Sequence, residues 1–157
     1  MELRRADPIR LVALRLSQDE LRNLTRQPGV NEAFRVTIQY HDGRHPNQVA
    51  TLTRGHSGDG VLRVIYDKPN KNVHFTYPVS ADRYRALLSG LRRVKFDLLD
   101  DQPDVPFFGV DLWLVERASG SFYHDVVLSP ESARGFYREL ILIIREQMKE
   151  ALREIVS

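Results

Sequence analysis

Apolar and polar residues alternate strictly along much of the first half of the chain. From Glu32 to His41, Phe34, Val36, Ile38 and Tyr40 share one parity, and Arg35, Thr37, Gln39 and His41 the other. A period of two is the signature of a strand with one apolar face. Gln48 to Arg54 repeats it, with Ala50 and Leu52 inward and Val49, Thr51 and Thr53 outward. Val61 to Asp67 puts Leu62, Val64 and Tyr66 inward; the next strand puts Val73, Phe75 and Tyr77 inward and His74 and Thr76 outward. Asp42-Gly43, the glycine-rich Gly55 to Gly60 and Lys68 to Asn72 are the turns between them. Ile9 to Leu16 reads as a short first strand. Phe107 to Arg117 and Phe122 to Leu128 read as a hairpin around Ser119-Gly120.

Three segments carry helical signals instead. Ser17-Gln18-Asp19-Glu20 has the form of a capping box, with Leu16 and Leu21 placed as a hydrophobic staple. That helix is expected to stop at Gln27, before Pro28-Gly29. Ser80 is the expected N-cap of a second helix, in which Tyr84, Leu87, Leu88 and Leu91 have helical spacing. Ser129-Pro130 is the expected start of a long C-terminal helix. Its apolar residues, Phe136, Leu140, Ile143, Ile144, Met148, Ala151, Leu152 and Ile155 with Tyr137 and Ile141 beside them, cover about half the circumference. An ordinary surface helix needs only about 100°. The helix is therefore either engulfed by the sheet or shared with a second copy of the chain.

The element order is β-α-β-β-β-β-α-β-β-α. It predicts a single α+β domain over residues 1–157: an antiparallel sheet of about six to seven strands, packed on one face by helices.

Composition narrows the class. The chain has 157 residues, 42% of them hydrophobic, and no cysteine, which is enough for a core without a disulfide. The longest apolar run, Leu140 to Ile144, is five residues, far below the ~20 of a membrane helix. No secretory signal is legible, so the expected location is cytoplasmic. Net charge is +2, but it is unevenly distributed. Residues 1–95 hold 17 Lys/Arg against 9 Asp/Glu, and residues 96–157 hold 6 against 12. The plainest expectation is that the two halves neutralise each other, within one molecule or across a dimer.

Candidate chemistry is sparse. The five histidines lack metal-ligand spacing. Gly55-x-x-Gly58-x-Gly60 has phosphate-loop composition, but a strand follows it where a helix is needed. Asp97, Asp100, Asp101 and Asp104 lack the spacing of a calcium loop. With a three-residue hairpin loop, Glu116 would face His124 across the last two strands. Arg83, Arg85, Arg92 and Arg93 read as a solvated helix face. No nucleophile motif or cofactor fingerprint stands out, so no metal and no cofactor is expected.

The expectation is a non-catalytic binding or assembly module, a homodimer through its C-terminal helix. Its polar sheet face would offer Arg35, Arg63 and His74 as ligand contacts, with Gln39 and Thr76 as hydrogen-bonding neighbours. A single-stranded nucleic-acid binder fits the basic first half, although its rings fall on the inward stripes. A small enzyme without a local motif is the third reading.

Overall fold

The computed structural model describes residues 6–16, 18–68, 73–106 and 108–152. Six strands form one antiparallel sheet: β1 (Glu32–Gln39), β2 (Gln48–Arg54), β3 (Gly60–Tyr66), β4 (Val73–Val79), β5 (Leu112–Ser119) and β6 (Phe122–Leu128). Their order in the sheet is β4-β3-β2-β1-β5-β6. The first four strands form a meander, and the last hairpin adds to the free side of β1. Helix α1 (Ala6–Arg15) precedes the sheet, with a single turn, α2 (Leu21–Leu24), between them. Helix α3 (Ala81–Arg93) links β4 to a short 3-10 turn, and α4 (Phe136–Gln147) follows β6.

The alternation seen in the sequence is realised in the register. Val36 lies opposite Ala50 on one side and Val115 on the other, so the apolar parities of neighbouring strands share a face. On that face Phe34, Leu52, Val64 and Val126 pack against Tyr84 and Leu87 of α3 and Leu140 and Ile144 of α4. Helix α3 begins where the sequence places it. The Ser80 hydroxyl accepts from the Arg83 backbone N–H, satisfying one of the orphan donors of the first turn.

Helices cover both faces, not one. The segment expected as a first strand is α1. Ile9, Val12, Ala13 and Leu16 are buried at the spacing i, i+3, i+4, i+7 of a helical stripe. Ile9 packs on Leu112, Leu114 and Val127, and the other three on Val49 and Ile65, all on the face away from α3 and α4. A short apolar run does not separate strand from buried helix by period alone, and here the helical spacing wins.

Three further boundaries differ. The helix expected over 17–27 is one turn, of which only Leu21 is buried. So short a segment has little packing to hold it. Ser17 of the expected capping box lies outside the described residues, and Glu20 occupies the N-cap without a side-chain bond. The last helix starts at Phe136 instead of Ser129-Pro130, because Gly135 turns the chain with φ +60° and the Ser129 N–H donates to Gln102 Oε1. The final hairpin closes with Ser119 opposite Phe122. That two-residue loop shifts the register by one: Glu116 faces Asp125, and His124 faces Arg117.

Part of the apolar stripe of the last helix is buried within the chain: Leu140, Ile141, Ile143 and Ile144 belong to the main core, while Phe136 and Leu142 stay exposed; the helix ends at Gln147, short of the expected run, and Ile155 lies outside the described residues. The charge asymmetry has a matching intramolecular counterpart. Arg10 reaches Asp125, Arg44 reaches Asp111 and Arg83 reaches Glu150, each tying the basic half to the acidic half. Among the described residues, no helix is long and apolar enough to cross a membrane.

Candidate functional site

The face covered by α1 carries a polar row that crosses the whole sheet. Asp125 on β6 lies opposite Glu116 on β5, and Glu116 opposite Arg35 on β1. Arg35 lies opposite Thr51, Thr51 opposite Arg63, and Arg63 opposite Thr76. One end of this row is acidic and the middle is basic.

The acidic end is closed. Glu116 and Asp125 are both buried, and like charges placed opposite each other repel. The fold answers with donors. Tyr123 Oη donates its one proton to Glu116 Oε1 at 2.6 Å and lies 3.2 Å from Asp125 Oδ2, and Arg10 pairs with Asp125 from α1. Burial, and then the Glu116 charge, push the Tyr123 phenol well above its ordinary range.

The basic part is open. A groove of about 410 Å³ lies there, between the 18–30 segment and strands β1–β3. Arg35 forms its floor, only 2% exposed. Its Nε donates to Thr51 Oγ1 at 2.9 Å and its Nη1 to the Asp19 carbonyl at 2.7 Å. Burial holds this guanidinium below its ordinary pKa, with Glu116 acting against that. Arg63 stands at the rim, exposed, with Thr51 and Thr76 as its cross-strand neighbours. Neighbouring strands lie ~4.8 Å apart, so the two arginines start about 10 Å apart, on either side of Thr51. Gln18, Gln27 and Thr53 add hydrogen-bonding groups around it.

Of the five residues expected as ligand contacts, the groove is lined by Arg35 and Arg63. Thr76 is next in the row, on the far side of Arg63. His74 is exposed but lies opposite Ile65, and Gln39 sits at the end of β1 opposite Leu112; neither lines the groove. Thr37, expected on an open face, is fully buried. Sequence reasoning missed Gln18, Asp19 and Gln27. Asp19 contributes through its carbonyl, which leaves no trace in side-chain chemistry, and its segment resembled a helix start.

A second polar cluster sits at the other end of β1. The His41 backbone N–H and ring Nδ1 both donate to Asp111 Oδ1, at 3.1 and 2.7 Å. Arg44 donates to Asp42 at 2.8 Å and to both oxygens of Asp111. Among the described residues, His41, Asp42 and Asp111 bring one ligand atom each within 4.8 Å of one another. Arg44 already supplies the positive charge those carboxylates need, so the cluster serves as a clasp between the β1–β2 turn and β5. Burial would raise the Asp111 pKa, but the bonds from Arg44 and His41 prevail and bring it down to about 2.

No family model and no curated protein matches this sequence.

Proposed function

We propose that this protein is a non-catalytic binding module for a small anionic ligand held in the groove between Arg35 and Arg63. One observation carries the reading: two arginines, one buried and held in place and one exposed, line a single groove on either side of Thr51. A guanidinium presents paired N–H donors that match phosphate or carboxylate oxygens. Arg35 is already oriented by Thr51 and the Asp19 carbonyl, so it gives up little freedom on binding. The two arginines outweigh the one acidic lining residue, Asp19. The groove falls within the usual size range of small-ligand sites. Among the described residues, no histidine, serine, cysteine or lysine lines it. It thus offers recognition without an activated nucleophile beside a base.

No aromatic ring lines the groove among the described residues either. Tyr66, Phe75 and Tyr77 lie on the face packed by α3 and α4, which disfavours base stacking as the mode of recognition. A homodimer through α4 has a narrower basis than the sequence suggested, with Phe136 and Leu142 as its remaining apolar surface.

Isothermal titration with inorganic pyrophosphate at low ionic strength tests the reading. The parent protein is expected to bind, and Arg63→Ala to bind about tenfold more weakly, the worth of one charge-assisted hydrogen bond. Arg63→Lys should recover part of the loss. Equal affinity in the parent and Arg63→Ala, or no binding to the parent, would overturn it. Native mass spectrometry of the same samples reads the assembly state.

A further inference from the structure

The opposite face of the sheet holds a second cavity with different chemistry. It lies where β1 begins and β2 and β5 end, beneath the C-terminus of α3, and encloses about 360 Å³. Its innermost polar group is Glu32, only 3% exposed. Glu32 accepts from Tyr84 Oη at 2.7 Å and from Arg117 Nε at 3.0 Å, and its Oε1 lies 3.4 Å from Arg54. The Arg54 guanidinium stacks on the Tyr84 ring at 4.6 Å, and Arg117 is also held by Asp97 at 3.0 Å. Two guanidiniums are thereby fixed in place before any ligand arrives.

The charges of this cavity do not balance. Arg54, Arg92, Lys95 and Arg117 line it against two acids, Glu32 and Asp97. Apart from Ser119, the rest of the wall is apolar: Leu88, Leu91, Phe96 and Leu98. Two of its residues are out of keeping with their positions. Leu98 is 82% exposed, although a leucine on a short turn gains nothing from water. Lys95 has φ +54°, the left-handed conformation in which a helix usually ends on glycine. A side chain there strains the backbone, and such strain gathers at functional sites.

We propose that this pocket binds an amphiphilic small-molecule anion, its acid group at the Arg54–Arg117–Lys95 cluster and its apolar body over Leu88 and Leu98, which the buried Leu91 and Phe96 support from beneath. The proposal is independent of the Arg35–Arg63 groove, from which it is separated by the sheet. Excess cations beside an apolar wall select an anion with a hydrophobic body over inorganic phosphate. They equally select it over a neutral hydrophobe, which would leave the cations desolvated and unpaired.

Anilinonaphthalene sulfonate combines both chemistries and is fluorescent when bound, so it is the probe. Titration of the intact chain at low ionic strength is expected to show one saturable site. Lys95→Gly removes a cation at a position where glycine is the unstrained residue, so the variant should melt no lower than the parent and bind about threefold more weakly. Leu98→Ser, at an exposed position, should bind about fivefold more weakly. Arg93→Ala removes a cation from the same helix end but outside the cavity, and should leave affinity unchanged. Absence of saturable binding, or parental affinity in either Lys95→Gly or Leu98→Ser, would overturn the proposal.

Discussion

Asp111 shows how a single side chain can anchor an element. Its carboxylate is buried and receives His41 and Arg44 together. Its pKa of about 2 lies below the ordinary value of 3.8, so its ionised form is favoured by the folded state. A depressed carboxylate contributes its full stability above its unfolded pKa and loses it as pH falls through the folded value. The contribution is about 2 kcal/mol, present at pH 5 and fading between about pH 4 and 2. Urea unfolding of the parent and Asp111→Asn should therefore differ at pH 5 and converge near pH 2; equal midpoints at pH 5 would contradict this. At the residue scale the sequence was a partial guide. The parity of Arg35, Thr51 and Arg63 was legible, because alternation sets the face of every strand residue. That Arg35 is buried was not, since burial depends on α1 and α2 lying over it. The cross-strand partner of Glu116 was misplaced, because a loop one residue shorter moves every pair.

Among the elements, the α3–α4 contact is the tightest. A Cβ added at Gly90 would lie 2.9 Å from two carbons of Ile143, and Ile143 is buried and stiff at χ1. Gly90→Ala would ordinarily gain ~1 kcal/mol of helix propensity, but overpacking costs ~1–3 kcal/mol. The net expectation is a lower melting temperature. Adding Ile143→Ala should cost less in the Gly90→Ala background than in the parent, and strict additivity would count against the contact. The strand edges are managed differently. The outer edge of β6 is covered by the 99–102 segment: the Gln102 N–H donates to the Val127 carbonyl, and Asp101 Oδ1 accepts from the Val127 N–H. Edge strand β4 instead carries Pro78, which has no N–H to offer a partner. Strands β1–β4 and helix α3 were readable because period and cap agreed. Helix α1 reads equally as a strand because the apolar residues of 9–16, interrupted by Arg10 and Arg15, fit either period when taken alone. The late start of α4 was hidden because Gln102, far away in sequence, takes the Ser129 N–H.

Across the whole molecule, the sheet is a partition. Its two faces are covered by different helices, and each carries its own cationic recess. The basic surplus of residues 1–95 is partly spent inside, on Asp125, Asp111 and Glu150. Arg63 lines the recess on one face, and Arg92 and Lys95 line the recess on the other. Composition showed the surplus, but only the fold shows where it opens to solvent. We propose the groove over Thr51 as the anion site. An amide chemical-shift map recorded while inorganic pyrophosphate is titrated into the isotopically labelled chain tests it most directly. The account predicts saturable shifts concentrated at Asp19, Gln27, Thr51 and Arg63, with those around Asp111 unmoved. Shifts centred elsewhere, or none at saturating pyrophosphate, would contradict it.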